Sequence, residues 1–244
     1  MTETTRVGYY ESLNFNSPMT EDTADRLVGE LAATDPRRVL DVGCGWAELL
    51  LRLLATCPNA TGHGVDRDDV LIDRAKRNAD DRDLSSRVSF SSSLDGLDPV
   101  DLVLNIGAEH VFGDLDRALV ELHKLVLPGG RLLLGTLFWE QPPPLDLVEA
   151  MGELPTLVGL VDAVTSVGWR PLGLKVASLD DWDHFEFGYL MDWEQQVMAP
   201  TTQAAADRAA EDADARRLSY LRRRGILGFA FLTLGRPGRS HQGG

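Results

Sequence analysis

The chain has 244 residues, 43% of them apolar, and a formal net charge of −14. That is enough for one packed domain, alone or with a lid, and the acidic balance argues against nucleic acid or an anionic membrane surface as partner. Two cysteines, Cys44 and Cys57, exclude a disulfide framework or a cysteine-rich zinc site, and no apolar run reaches the roughly 20 residues of a membrane helix.

The first residues, Met1 to Arg6, show no basic segment leading into an apolar one, so a cytoplasmic protein is expected. An irregular stretch holding Tyr9, Tyr10 and Phe15 precedes Pro18, which opens a helical pattern with Leu27, Val28, Leu31 and Ala32 on one face. Asp35-Pro36 stops it. Alternation follows: strand 38–42, helix 46–56, strand 60–66, helix 68–80, strands 87–91 and 100–106, helix 114–127, strand 131–138. Runs such as Leu102-Val103-Leu104 and Leu132-Leu133-Leu134 suit strands buried on both faces, and the alternation predicts a parallel sheet of βαβ units. Pro128-Gly129-Gly130 is expected to close a helix ending at Leu127 and turn into the next strand.

Residues 154–168 predict a helix and Trp169–Ser178 a strand. A helix-rich insertion over 179–225 follows, holding Trp182, His184, Phe185, Phe187, Tyr189 and Trp193, then a long helix over 203–224. Its basic run, Arg216-Arg217 and Arg222-Arg223-Arg224, reads as a solvated helix face. Ile226 to Leu234 reads as a last strand, and 236–244 as a disordered tail. The whole divides as an N-terminal cover and helix (1–35), a core (37–178), a lid insertion (179–225) and a final strand (226–235) of one domain.

Chemistry gathers at Val39-Leu40-Asp41-Val42-Gly43-Cys44-Gly45-Trp46, where an apolar strand runs into an acid, a glycine turn and a helix. Gly43 and Gly45 permit positive φ and close approach of a ligand, and the following helix presents free N–H groups. Asp66, 21 residues after Gly45, ends a second apolar run and is placed to accept from two ribose hydroxyls. A dinucleotide fingerprint would need Gly or Ala where Glu48 stands, and a carboxylate there repels a pyrophosphate. Asp41 before the loop suits a ligand carrying an amine and a sulfonium. Cys44 is small, as the turn requires, and reads as packing.

Val39 to Gly45 resembles the first motif of the class I S-adenosylmethionine-dependent methyltransferases, and Gly64-Val65-Asp66 the acidic motif after it. Asp101-Leu102-Val103-Leu104-Asn105-Ile106-Gly107-Ala108 is similar to the motif at the fourth strand. Leu125-Val126-Leu127-Pro128-Gly129-Gly130-Arg131-Leu132 is similar to the one entering the fifth. Together they cover about residues 37–140. One departure is Ala47, where many members carry a third glycine; a small residue there is expected to matter little. The resemblance implies an α/β fold: a Rossmann-like, seven-stranded, mostly parallel sheet with helices on both faces, an antiparallel last strand beside the sixth, and a helical lid before it. It implies S-adenosyl-L-methionine as cofactor, with Asp41, Gly43 and Gly45 beside the methionine portion, Asp66 on the ribose and Arg67 also among the cofactor-binding residues. Ser92, Ser93 and Leu94 would meet adenine, although the usual acid there is missing, and Asn105 and Ile106 would lie under the methionine end. No metal is expected.

Methyl transfer needs chiefly an aligned nucleophile and the exclusion of water, with a general base where the acceptor is a neutral amine or phenol. Gly107-Ala108-Glu109-His110 follows the fourth strand. Histidine exchanges protons near neutrality, which makes His110 the first candidate base. Glu109 or Glu140 would orient it or bind a cationic substrate. His63 and His123 look structural. Trp139, Trp182, Phe185 and Tyr189, with Tyr9 and Tyr10, are expected to build an aromatic pocket for a small organic acceptor. The expectation is transfer to O or N of a small molecule, in natural-product biosynthesis, by an enzyme without nucleic-acid or membrane partners and with a homodimer as its oligomer. The rivals are non-methylating chemistry on the same cofactor, such as cyclisation, and a non-catalytic binding protein.

Overall fold

The computed structural model describes residues 12–238. Its elements run α1 (Glu21–Ala32), β1 (Arg38–Val42), α2 (Glu48–Thr56), β2 (Thr61–Val65), α3 (Asp69–Asp80), β3 (Val88–Ser91), β4 (Val100–Ile106), α4 (Leu115–Leu125), β5 (Val126–Trp139), α5 (Leu145–Met151), α6 (Leu157–Ser166), β6 (Arg170–Val176), α7 (Leu179–Met198), α8 (Gln203–Arg223) and β7 (Leu227–Gly235). A 3-10 turn, Glu109–Val111, lies between β4 and α4.

The strands form one seven-stranded sheet in the order β3-β2-β1-β4-β5-β7-β6. β1 to β5 pair in parallel, and β7 lies antiparallel between β5 and β6. The strand order reverses between β1 and β4, so a crevice opens at their carboxyl ends. One sheet face packs Leu104, Leu133, Phe229 and Phe231 under helices that contribute Leu27, Leu31, Leu50, Leu54 and Ala75. The other packs Leu40, Val103, Leu132 and Leu232 under α4 and α6 through Leu119, Leu122, Leu160 and Val164. Each fully buried leucine contributes about 1.5–3 kcal/mol, so this two-sided core fixes the rims from which the site is built.

Three local expectations are corrected. Helix α4 ends at Leu125, not Leu127, and Pro128-Gly129-Gly130 lies within β5 instead of before it. Val126 is extended and pairs with Val100; the register then jumps to Leu102↔Arg131, so the Pro-Gly-Gly segment is a bulge. Gly129 takes φ +88, and a Cβ on Gly130 would stand 2.7 Å from the Asp101 carbonyl. Arg236 does not belong to a loose tail: its backbone N–H donates to Gly130 O at 3.1 Å and its guanidinium to His123 O at 2.7 Å.

The basic run of α8 is not a bare solvated face. Arg216 and Arg223 hold Glu186, itself 1% exposed, at 2.9 and 2.7 Å. Arg224 holds Asp183 at 2.7 Å, and Arg217 pairs with Glu194 and Asp214. Ala206, Ala209 and Ala213 let α8 approach closely, and a Ser178–Asp181 capping box starts α7.

Candidate active site

A cleft of about 830 Å³ opens at the carboxyl ends of β1, β2 and β4. That volume fits one ligand of nucleoside size and a small co-substrate. Its floor is the loop after β1. The N–H groups of Gly43 and Cys44 both donate to Val65 O, at 2.8 and 3.0 Å, which ties the loop to β2. Gly43, Gly45 and Ala47 all have positive φ, at +74, +53 and +60. Ala47 thus occupies a left-handed position that glycine would take without strain, at a cost of about 1–2 kcal/mol. The replacement is not neutral for the backbone, although its small side chain fits and is buried.

Asp66 is the keystone of this edge. Its Oδ2 accepts from Gly45 N–H at 2.8 Å and its Oδ1 from Asp68 N–H at 2.9 Å. Asp41 is 6% exposed, and no cation among the described residues pairs with it. Burial first, and the Asp66 charge second, push its carboxyl up to about 7. Burial likewise holds the Cys44 thiol well above its usual range, so it is no nucleophile. Glu48 lines the cleft with its charge balanced by Arg52 at 2.7 Å and Arg82 at 2.6 Å.

The far wall is Ser92, Ser93 and Leu94. The end beyond β4 is Ile106, Gly107, Ala108, His110 and Val111. Asn14, Phe15, Asn16, Ser17 and Met19 cover the cleft from the N-terminal side. This strap is fastened by Trp46, whose Nε1 donates to Asn14 O at 2.7 Å, and by Arg74, which donates to Leu13 O at 3.2 Å and lies 4.2 Å over the Trp46 ring.

Asp41, Gly43, Gly45, Asp66, Arg67, Ser92, Ser93, Leu94, Ile106 and His110 therefore converge on one cleft. Other expected residues do not join them. Asn105 is fully buried and does not line the cleft; its Nδ2 donates to Val42 O at 3.2 Å, pinning β4 to β1. Glu109 turns back to the sheet, where Oε1 accepts from Thr136 Oγ1 at 3.0 Å; it neither lines the cleft nor touches His110 through that carboxylate oxygen. Glu140 is exposed outside the cleft, its backbone N–H donating to Ile226 O at 2.9 Å.

Among the described residues, the aromatics expected to form an acceptor pocket do not line this cleft. Trp139 and Trp182 are core residues, at 6% exposure each. Phe185 stands edge-on to Trp182 at 6.2 Å, and Tyr189 lies under the Arg216 guanidinium at 3.5 Å. Both serve the packing of α7 against the sheet and α8. Tyr9 and Tyr10 lie outside the described residues. Asn14, Asn16, Ser17 and Met19 went unassigned in the sequence; the turn-forming Asn-Phe-Asn-Ser-Pro run before α1 was the signal that a loop ends there. Among the described residues, no group of three or more His, Cys, Asp or Glu side chains is placed to hold a metal ion.

A doubly wound sheet with a glycine loop, and a carboxylate anchoring that loop at the switch point, defines a nucleoside-binding α/β protein of Rossmann-like class. A methyltransferase-domain family profile matches residues 39–130, the segment that carries the loop, Asp66 and β4. The uncharacterized protein YjhP of Escherichia coli is 28% identical over 207 residues, covering 80% of this chain and 83% of that one. The 27-O-demethylrifamycin SV methyltransferase of Amycolatopsis mediterranei is 31% identical over 182 residues, 71% of this chain and 65% of that one. Among solved structures, a methyltransferase of Geobacter sulfurreducens in complex with S-adenosyl-L-homocysteine superposes with a TM-score of 0.82 at 22% identity, over 93% of this chain and 95% of that one. Residues 39–130 form a methyltransferase domain, and the chain shares the fold of S-adenosylmethionine-dependent methyltransferases over nearly its whole length.

Proposed function

We propose that the cleft holds S-adenosylmethionine along the β1 loop, and that the chain methylates O or N of a small organic acceptor seated beside Ile106–His110. The observation that carries this reading is Asp41: a buried carboxylate, without a cationic partner, in the floor of an open cleft. Such a group is costly unless a ligand brings positive charge to it. The residues present fit the cofactor in two further ways. A Cβ on Gly45 would meet nothing within 4 Å, so the backbone there faces open space that a ligand can enter. Asp66 retains lone pairs beyond the two that the backbone uses, enough to accept from ribose hydroxyls.

When bound, the cofactor supplies a methyl carbon already activated by its sulfonium. The protein then has three tasks. Asp41 compensates cationic charge at the loop. The Asn14–Ser17 strap and Met19 limit access of water to the cleft. His110, exposed on the turn after β4 and lining the cleft, takes the proton from a neutral nucleophile and passes it to solvent. Glu109 acts here only by fixing that turn through Thr136. The relative whose name specifies an oxygen of rifamycin SV supports oxygen as the accepting atom.

The test is incubation with cofactor labelled at the methyl group and a panel of small phenols, alcohols and amines. Label in the product supports the reading, and turnover to an unlabelled product sinks it. With an acceptor in hand, His110→Ala is expected to lower kcat about 100-fold while cofactor affinity stays within twofold. Full activity across pH removes His110 as base.

A further inference from the structure

The outer face of β2 and β3 carries a polar row that no helix of the described residues covers. Among the described residues, the chain between β3 and β4 forms no helix, and on this face Ser89 is exposed while His63 and Ser91 are half-buried. Parallel pairing sets His63 beside Ser89, so the imidazole falls between two hydroxyls. Nδ1 lies 2.8 Å from Ser89 Oγ, and Nε2 lies 2.9 Å from Ser91 Oγ. Ser91 Oγ donates in turn to the carbonyl oxygen of Ser93 at 3.1 Å. That last bond closes the end of β3 into a turn, and Ser92, Ser93 and Leu94 of the turn form the far wall of the cleft.

The single hydroxyl proton of Ser91 orders the whole row. Since it is committed to the Ser93 carbonyl, Ser91 Oγ can only accept from His63. Nε2 therefore carries the ring proton, and Nδ1 of the neutral ring accepts from the Ser89 hydroxyl. The direction of every bond runs from Ser89 through His63 and Ser91 to the wall of the cleft. Ser93 is held from its other side too: its Oγ donates to Asp95 Oδ2 at 2.9 Å and accepts from Asp95 N–H at 3.1 Å.

The geometry points to His63 as a positioning residue that, through Ser91, sets the Ser92–Leu94 wall against which the adenine ring is read. This rests on the cofactor reading given above. His63 touches no ligand itself; it acts by keeping Ser91 turned toward Ser93. Loss of the imidazole leaves the Ser91 hydroxyl without its donor, and the wall loses its fixed spacing from β2.

The experiment is calorimetry on the full chain with two probes: S-adenosylhomocysteine, and its inosine counterpart, which carries oxygen in place of the adenine amino group. His63→Ala and Ser91→Ala are each expected to weaken S-adenosylhomocysteine about fivefold to tenfold and to narrow its preference over the inosine probe by a similar factor. The double variant should be no worse than either single one, because both residues lie on one path. His63→Gln, whose amide can still donate, should recover most of the loss. Additive losses in the double variant, or unchanged affinity and preference in the singles, overturn the inference. If the unsubstituted protein binds neither probe, the cofactor reading fails and this inference falls with it. Ser91→Ala removes one half-buried hydroxyl and keeps the fold, so the test does not depend on how well His63→Ala folds.

Discussion

Gly43 and Gly45 both have positive φ, yet they answer to different neighbours. A Cβ on Gly43 would stand 2.2 Å from the Cβ of Ala108, whereas one on Gly45 would meet nothing within 4 Å. Gly43 lets the loops after β1 and β4 touch; Gly45 leaves room for a ligand. Gly43→Ala is therefore expected to destabilise the ligand-free protein by about 3 kcal/mol, combining left-handed strain with overpacking. Gly45→Ala should cost only about 1 kcal/mol in the same denaturant titration, while weakening S-adenosylhomocysteine more than Gly43→Ala does in any folded sample. Equal effects of the two would remove the distinction. Asp41 makes a pH-dependent prediction. Its carboxyl is held up to about 7, against an ordinary value of 3.8, by burial and by Asp66. The native state therefore keeps a proton that the unfolded chain has lost between about pH 4 and pH 7. Stability from this group is complete below the unfolded value and is lost as pH rises through 7. Asp41→Asn cannot ionise, so in ligand-free thermal melts its advantage over the unsubstituted protein should grow from pH 4 to 7 and then level off. A constant difference across that range would mean that Asp41 is ionised throughout. Binding of the cationic cofactor should follow the opposite sign, strengthening as pH rises through 7 and weakening in Asp41→Asn.

At the scale of elements, the α7–α8 hairpin depends on a carboxylate that the chain cannot afford to leave unpaired. Glu186 is 1% exposed and sits between Arg216 and Arg223, whose side chains remain 26% and 14% exposed. Removing the charge strands two guanidinium groups that still touch water, so Glu186→Gln is expected to cost about 2–3 kcal/mol, at or below the lower end of buried-pair losses. The midpoint of denaturant unfolding measures it, and a loss below about 0.5 kcal/mol would mark the pair as a surface one. The same hairpin explains what the sequence conceals. β1, β4 and β7 were legible because strands covered on both faces carry near-continuous apolar runs. The partners of Arg216 and Arg223 stand 30 and 37 residues away, where local charge pattern says nothing. β5 begins five residues earlier than the Pro-Gly-Gly run suggests, because a bulge absorbs the three breakers inside a strand. The loop acids and glycines were legible because their chemistry is local to one turn. The acceptor pocket was not: Trp139 and Trp182 are written like pocket residues, but an aromatic facing the sheet is core, and which way it faces is decided by packing between distant elements.

At the scale of the whole molecule, the cleft has no owner among the elements. The strap at Asn14–Met19, the β1 loop, the β2 end at Val65–Asp69, the β3 end at Ser92–Leu94 and the β4 turn each supply one side. Hydrogen bonds that join them include Trp46 to Asn14 O, Arg74 to Leu13 O, Gly45 N–H to Asp66, Asp66 N–H to Ser91 O, and the loop N–H groups to Val65 O. A ligand that fills the cleft adds contacts to all five segments at once, and none of these contacts survives in the unfolded chain. Its binding free energy is then fully expressed as stability. S-adenosylhomocysteine at 100 times its Kd should add about 2.7 kcal/mol, which for a chain of this length raises the melting temperature by about 5–10 °C. Asp66→Ala separates ligand contact from scaffold. Without ligand it should lower the melting temperature modestly, because the Gly45 and Asp68 N–H groups lose their acceptor. At the same ligand concentration it should also lose most of the ligand-induced rise, because the ribose hydroxyls lose theirs. A variant that melts lower without ligand but keeps the full rise would assign Asp66 to the scaffold alone, and the ribose would have to be held by another side of the cleft.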